Sequence, residues 1–262
     1  MTLVLDSFSL KGKVALVTGG AGLYGRQIVA ALAEAGAKTF IAARDVAKLE
    51  IVAAEERARG HDVTALSLDL SSDASIEALH AEVIAQAGRC DVLVNNAVAR
   101  SALDGWVHEL DDFDKSLRVN ASALFKITEL FARNMRENKS GSIINIGSMM
   151  GMVGVEMANY EGTDMTPNPS PIYHYEKGGM LNFTRWAASI LGGDNVRVNC
   201  LSPGGFFSGQ PAPFVKAYSA RTQLGRMAND TDLKGVIVFL ASDASAYITG
   251  TNIPIDGGYT AK

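Results

Sequence analysis

Tyr173 and Lys177 stand four residues apart in IYHYEKGG, and Ser148 lies upstream of them in INIGSMMG. On a helix, a four-residue step puts two side chains on one face. An ammonium group beside a phenol stabilises the phenolate. Tyrosine ordinarily ionises near pH ~10, so it needs such help before it can trade protons at neutral pH. Ser148 could hold a reacting oxygen by hydrogen bonding. The three suit proton transfer at an oxygen while another group moves the electrons. Standing alone, the Tyr-x-x-x-Lys pair reads equally well as two polar residues on a solvated helix face, so the rest of the chain decides.

A second set could hold the electron carrier. Residues 18–25, TGGAGLYG, follow a short apolar run and open a helical pattern. Glycines let a backbone approach a pyrophosphate, and the amino end of a helix attracts its negative charge.

These residues need elements to carry them, and the chain supplies an alternation. Apolar runs at 14–18, 38–43, 63–68, 91–94, 142–146, 196–201 and 251–255 read as strands. Helical patterns fall at 26–35, 47–59, 75–87, 113–139, 172–191 and 231–240. Alternating strands and helices predict an α/β domain whose doubly wound, mostly parallel sheet has helices on both faces. Ligands of such sheets bind at the carboxyl ends of strands, near the switch in strand order. The glycine turn, Asp69, residues 95–97, Ser148 and Pro203-Gly204 all follow strands. Two segments break the rhythm, 152–171 with its prolines and 204–225, and both are expected to wall a substrate.

With 262 residues, the chain is near the upper end for one core, so a single domain over 1–262 is expected. Its 47% hydrophobic and 20% charged residues exclude disorder, and a net charge of −4 gives no footprint for nucleic acid. No apolar run approaches the ~20 residues of a membrane span, and the amino terminus lacks the pattern of a signal peptide. Cys90 and Cys200 are spaced neither as a metal site nor as a disulfide framework, and each lies in an apolar run, so buried free thiols are expected. The expectation is a soluble cytoplasmic protein.

In chain order, TGGAGLYG, Asp69, NNA at 95–97, Asn120 in VNAS, Ser148 in INIGSMMG, Tyr173-x-x-x-Lys177, RVNCLSPGG at 197–205 and the tail FLASDASAYITGTNIPIDGG resemble the short-chain dehydrogenase/reductase family. The resemblance covers nearly the whole chain and implies a Rossmann fold. It also implies a catalytic tetrad of Asn120, Ser148, Tyr173 and Lys177, in which Lys177 also binds the nicotinamide ribose and Asn120 supports a water between the lysine and solvent. A nicotinamide cofactor would meet Gly19, Gly22, Leu23, Tyr24, Gly25, Asp69, Leu70, Asn96, Ala97, Pro203, Gly204, Phe206 and Ser208 besides Tyr173 and Lys177. The substrate would meet Met149, Met150, Tyr160, Gly205 and Phe207. The family resemblance and the tail suggest a homotetramer.

Three departures from the family pattern stand out. Leu23 occupies the middle glycine of TGxxxGxG, and Gly22 falls one place early. Val98 replaces the glycine of NNAG. Serine and tyrosine, usually about a dozen residues apart, are here separated by 173 − 148 = 25 positions. The extra residues, around YEGTDMT at 160–166, look like an inserted flap. A comparable insertion is similar to that of bacterial family members tied to surface-sugar and flagellin-glycan pathways.

At the end of the second strand, Ala43 stands where an acidic residue would select NAD, and Arg44 follows. A guanidinium suits a 2′-phosphate, so NADP(H) is the expected cofactor and NAD(H) the alternative. Asp45 could instead pair with Arg44 or reach the ribose. The expected reaction moves a hydride between the nicotinamide and a secondary alcohol or ketone, with Tyr173 as general acid or base. Methionines and phenylalanines argue for an apolar pocket; Glu156, Asn159, Tyr160, Glu161 and Asp164 argue for a polar ligand such as a sugar or polyol derivative. A cofactor-recycling dehydratase or epimerase is the alternative enzyme, and a cofactor-binding regulator the alternative without turnover. Tyr175 is a decoy, since Gly179 rather than a lysine follows it by four; His61 and His174 are expected on surfaces.

Overall fold

The computed structural model describes residues 3–99, 109–165 and 171–261. Seven strands, β1 (Val14–Thr18), β2 (Lys38–Ala43), β3 (Val63–Ser67), β4 (Val92–Asn95), β5 (Gly141–Ile146), β6 (Val196–Pro203) and β7 (Asn252–Ile255), form one sheet. All pairs are parallel, and the order is β3-β2-β1-β4-β5-β6-β7. The order reverses between β1 and β4, which puts the ligand crevice at their carboxyl ends.

Helices α1 (Leu23–Glu34), α2 (Val46–Ala58), α3 (Asp73–Ala87), α4 (Leu110–Leu117), α5 (Ala123–Glu137), α6 (Pro171–Leu191), α7 (Ala212–Ser219) and α8 (Lys234–Ala241) complete the described elements. Successive strand residues point to opposite faces. Thus Ala15 and Val17 join Ile28 and Leu32 of α1, Leu49 of α2 and Ile237 of α8 on one side. Val14 and Leu16 join Ile76 of α3, Phe131 of α5 and Leu191 of α6 on the other. Every residue of β1 is buried, as expected of a parallel strand covered on both faces. The single doubly wound α/β domain is the one the alternation predicts.

The boundaries differ where polar groups intervene. Helix α1 starts at Leu23 instead of 26 because Gly22 is already extended, with φ −73° and ψ 171°. The helix expected over 113–139 is interrupted by a π turn, Arg118–Ser122. Helix α8 starts three residues later than expected, because the amide and hydroxyl of Thr231 donate to the Asn229 side chain. The segment expected to be irregular to 171 contains a 3₁₀ turn, Met157–Asn159, and Pro171 belongs to the first turn of α6, where its missing donor costs nothing; its last part, 166–170, lies outside the described residues. The loop 204–225 contains α7. Both cysteines are buried free thiols. Among the described residues no helix is long and apolar enough to cross a membrane.

Candidate active site

The glycine turn after β1 is clamped to the turn after β4. The Asn96 side chain donates to the carbonyls of Thr18 and Gly19, both at 3.0 Å. The amides of Asn96 and Ala97 donate to the Thr18 hydroxyl, again at 3.0 Å. This approach leaves no room for side chains. A Cβ on Gly19 (φ +70°) would sit 2.9 Å from the Ala97 Cα, and one on Gly25 only 2.2 Å from the Gly19 carbonyl oxygen. Gly22 is different, since a Cβ there would meet only the Gly19 oxygen at 3.4 Å. The shift of a glycine from 23 to 22 therefore leaves the packed part of the turn intact, and Leu23 points outward, 57% exposed. The turn feeds the amino end of the 12-residue α1, where free amides and the helix dipole favour an anion. A bare, glycine-lined cradle at a helix start fits the pyrophosphate of a dinucleotide.

Tyr24 closes the cradle on the β6 side. Its hydroxyl donates to the Gly204 carbonyl at 2.8 Å, and its ring meets Phe206 edge-on at 5.4 Å. Burial pushes its phenol up from its ordinary value. At the far end of the crevice, Arg44 is exposed just past β2. Asp45 is engaged with Lys48 rather than with Arg44. It caps α2 through the Lys48 amide at 3.1 Å and pairs with the Lys48 ammonium at 3.1 Å. Asp69 accepts from the amide and hydroxyl of Ser71, bonds that hold its carboxyl below the usual range, and Leu70 is half-buried beside it.

The predicted catalytic residues meet where α6 crosses the end of β5. Lys177 is buried, and its ammonium donates to the Ile146 carbonyl at 2.7 Å while lying 5.7 Å from the centre of the Tyr173 ring. Two residues beyond Ile146, the buried Ser148 hydroxyl accepts from the Met150 amide at 3.1 Å and caps a 3₁₀ turn, Met149–Gly151. That turn presses on α6 so closely that a Cβ on Gly151 would be 2.6 Å from the Lys177 carbonyl carbon. Asn120 arrives on the π turn, a distortion often found at functional sites. Its amide accepts from the Ala99 N–H at 2.9 Å and donates to the Ala99 carbonyl at 2.8 Å, beside the turn after β4. It also donates to Glu176 at 2.9 Å. Sequence reasoning missed Glu176, and no spacing rule marks it. Tyr175 is 66% exposed, as befits a decoy. His61 is no free surface group, because it is held by Glu56 at 2.8 Å; His174 is only half-exposed.

Next to the Ser148 turn, Met149, Phe214, Tyr218 and Met227 form a small core, with Met150, Tyr160 and Tyr259 packed against it. The Tyr218 hydroxyl accepts from the Gly205 amide at 2.5 Å and lies 3.3 Å from the Met149 sulfur. Burial pushes that phenol up to about 12. Its ring explains two glycines, since a Cβ on Gly204 would meet the hydroxyl at 2.9 Å and one on Gly205 the ring at 3.0 Å. The flap joins the cluster through Tyr160, 5.2 Å from Phe214, and through Asn159, which donates to the Tyr259 hydroxyl at 3.0 Å. Glu156 of the flap pairs with Arg221 at 3.5 Å. Phe207 and Ser208 are not gathered in; both are exposed, and Ser208 is engaged with Gln210. Phe214, Tyr218 and Tyr259 were not anticipated, although Phe214 and Tyr218 have the four-residue step of one helix face.

The chain resembles known proteins throughout. A family model described as enoyl-(acyl carrier protein) reductase matches residues 22–260. A 3-oxoacyl-[acyl-carrier-protein] reductase, FabG, of Thermotoga maritima is 33% identical over 257 residues, covering 95% of this chain and 98% of the relative. The 2-dehydro-3-deoxy-D-gluconate 5-dehydrogenase of Escherichia coli is 31% identical, covering 99% of this chain and 100% of the relative. Among solved structures, a gluconate 5-dehydrogenase from Burkholderia cenocepacia in complex with NADP and tartrate superposes with a TM-score of 0.86 at 30% identity, covering 99% of this chain and 100% of that one.

Proposed function

Since the chain belongs to the short-chain dehydrogenase/reductase family and is an NAD(P)-dependent enzyme acting on CH–OH or keto groups, we propose that it interconverts a secondary alcohol and a ketone on a sugar- or polyol-derived substrate. When bound, the nicotinamide supplies or takes the hydride. Tyr173 gives or takes the proton at the substrate oxygen, Ser148 positions that oxygen, and Lys177 favours the phenolate by its charge. The cradle of Gly19, Gly22, Leu23, Tyr24 and Gly25 would hold the pyrophosphate, with Asn96, Ala97, Pro203, Gly204 and Phe206 around the rest of the cofactor. The reading rests chiefly on one observation, the Lys177 ammonium poised 5.7 Å from the Tyr173 ring beneath the Ser148 turn.

NADP(H) is the proposed cofactor. Arg44 is exposed past β2 and the Asp45 carboxylate is bonded to Lys48, which favours a 2′-phosphate over a free ribose hydroxyl. The polar flap residues Glu156 and Asn159 favour a hydroxylated substrate, in keeping with the surface-sugar resemblance of that insertion. Buried free thiols suit a reducing cytoplasm. The homotetramer is proposed on the outer face of α5 and α6, where Phe125, Trp186 and Ile190 are each about half-exposed.

The test is turnover of purified protein with NADH and NADPH against polyols, sugar acids, ketones and 3-oxoacyl thioesters. Activity on the hydroxylated members with NADPH is the expected result; activity confined to the thioesters overturns the substrate class. Tyr173→Phe should lower kcat by about 10²- to 10⁴-fold, the usual share of general acid–base catalysis, with cofactor affinity retained. Full activity in that variant would sink the assignment.

A further inference from the structure

Glu176 carries chemistry that the proposed reaction does not use. It is 6% exposed and Lys177 5%. Charges so far from water need compensation. The Lys177 ammonium donates to a neutral group, the Ile146 carbonyl. Among the described residues, the other buried carboxylates are committed elsewhere: Glu56 to Arg59 and His61, Asp91 to Arg89, and Asp256 to the amides of Gly258 and Thr260. Glu176 instead accepts from the Ser116 hydroxyl of α4 at 2.7 Å and from the Asn120 amide of the π turn at 2.9 Å. Adjacent helix residues do not face each other, so Glu176 and Lys177 act on one another through the interior rather than by contact.

We propose that Glu176 is a positioning residue whose carboxylate holds the Asn120 amide and supplies the counter-charge to the buried Lys177 ammonium beside Tyr173. The proposal rests on the reading of Tyr173 and Lys177 as the proton-exchanging pair. One carboxylate then ties three parts of the site together, because Asn120 in turn grips both backbone groups of Ala99. The groups facing the pair are Ser116 of α4, Asn120 of the π turn, Tyr173 on the same helix and the Cys200 thiol of β6, which feels the lysine charge. Burial raises the Glu176 carboxyl above its ordinary range, while Ser116, Asn120 and Lys177 oppose the rise.

Two readouts test it. Glu176→Gln keeps the shape and removes the charge beside the Tyr173–Lys177 pair. The alkaline limb of the kcat–pH profile should move down by about one unit, whereas Glu176→Asp should leave that limb in place. A limb unmoved in Glu176→Gln, or moved equally in both, overturns the proposal. Thermal melting supplies an arm independent of turnover, in a cycle of Glu176→Gln, Lys177→Met and the double variant. Charge balance predicts that Glu176→Gln lowers Tm more with Lys177 present than in the Lys177→Met background. The difference should be at least about 2–4 °C, the shift of ~1 kcal/mol in a domain of this size. Additive shifts overturn it even where single variants are too unstable to assay. Tyr173→Phe separates the two readings: retained turnover there removes the proton-exchange assignment, whereas an inactive Tyr173→Phe together with additive melting removes only the role of Glu176.

Discussion

The two halves of the site are held by different kinds of contact. Around the cradle, two turns of main chain are brought close together: the side chains of Asn96 and Thr18 bond the backbone of the facing turn, and Gly19 and Gly25 leave no space for a Cβ. Beside the Ser148 turn, side chain meets side chain, with Met149, Phe214, Tyr218 and Met227 packed into a cluster of rings and thioethers. Main-chain clearance dictates a residue type, whereas a packed cluster asks only for volume and tolerates many combinations. The first kind of contact fixes one main-chain geometry, whereas the second can be repacked without disturbing it.

The sharpest way to break the contrast is Gly25→Ala. Its Cβ would lie 2.2 Å from the Gly19 oxygen, so the turn must open. Cofactor affinity should fall more than about 100-fold, as expected when ~3 kcal/mol or more of strain is introduced. Isothermal titration with NADPH reads this directly, and an unchanged Kd would remove the distinction between the halves.

Tyr218→Phe probes the other half. It leaves the half-buried Gly205 amide without its acceptor, which should cost about 1 kcal/mol of stability. Substrate KM should rise with cofactor Kd nearly unchanged. The same residue gives a pH signature. Its phenol is raised from 10.0 in the unfolded chain to about 12 in the fold, so the native state favours the protonated form. That contribution is complete below pH 10 and lost as pH rises towards 12, a loss of about 2–3 kcal/mol. Urea midpoints at mildly and strongly alkaline pH should diverge less in Tyr218→Phe than in the parent.

Smaller effects refine the cradle. Arg44→Ala should reduce the preference for NADPH over NADH by about tenfold, the worth of one charge-assisted contact of ~1.5 kcal/mol; parallel steady-state assays with both cofactors measure it. Least disruptive is Gly22→Ala, whose Cβ has space in the protein itself. Its Tm should stay within about 1 °C of the parent. Any loss of affinity in that variant then reports how closely the pyrophosphate passes.

The same division governs what the sequence could tell. The strand–helix alternation, the cradle and the Tyr173–Lys177 pair were legible because each depends on local rules: a glycine at a turn, a four-residue helical step, an apolar strand. The role of Asp45 was not legible, since a cap bond to Lys48 and a free carboxylate have the same sequence. Tyr218 and Tyr259 escaped notice because their importance arises from contact between segments far apart in the chain, with ring centres 4.9 Å apart. Glu176 looked like one more charged residue on a helix. Its burial depends on α4 and the π turn closing over it, which no spacing announces.

That π turn has a consequence of its own. Five residues, Arg118–Ser122, make a loop of helix in which the Ala123 amide reaches back to the Arg118 carbonyl, one residue further than an α-helical bond would. The extra residue turns everything after it by about 100° relative to a regular helix. Helix α4 and helix α5 therefore show unrelated faces to their neighbours although they are one continuous rod. Deleting a single residue within 118–122 would make a straighter helix, yet it would rotate Ile127 and Phe131 of α5 away from the sheet or swing Ser116 and Asn120 away from α6. This segment accepts substitutions more readily than changes in length, and an evolutionary path through it has to keep its count.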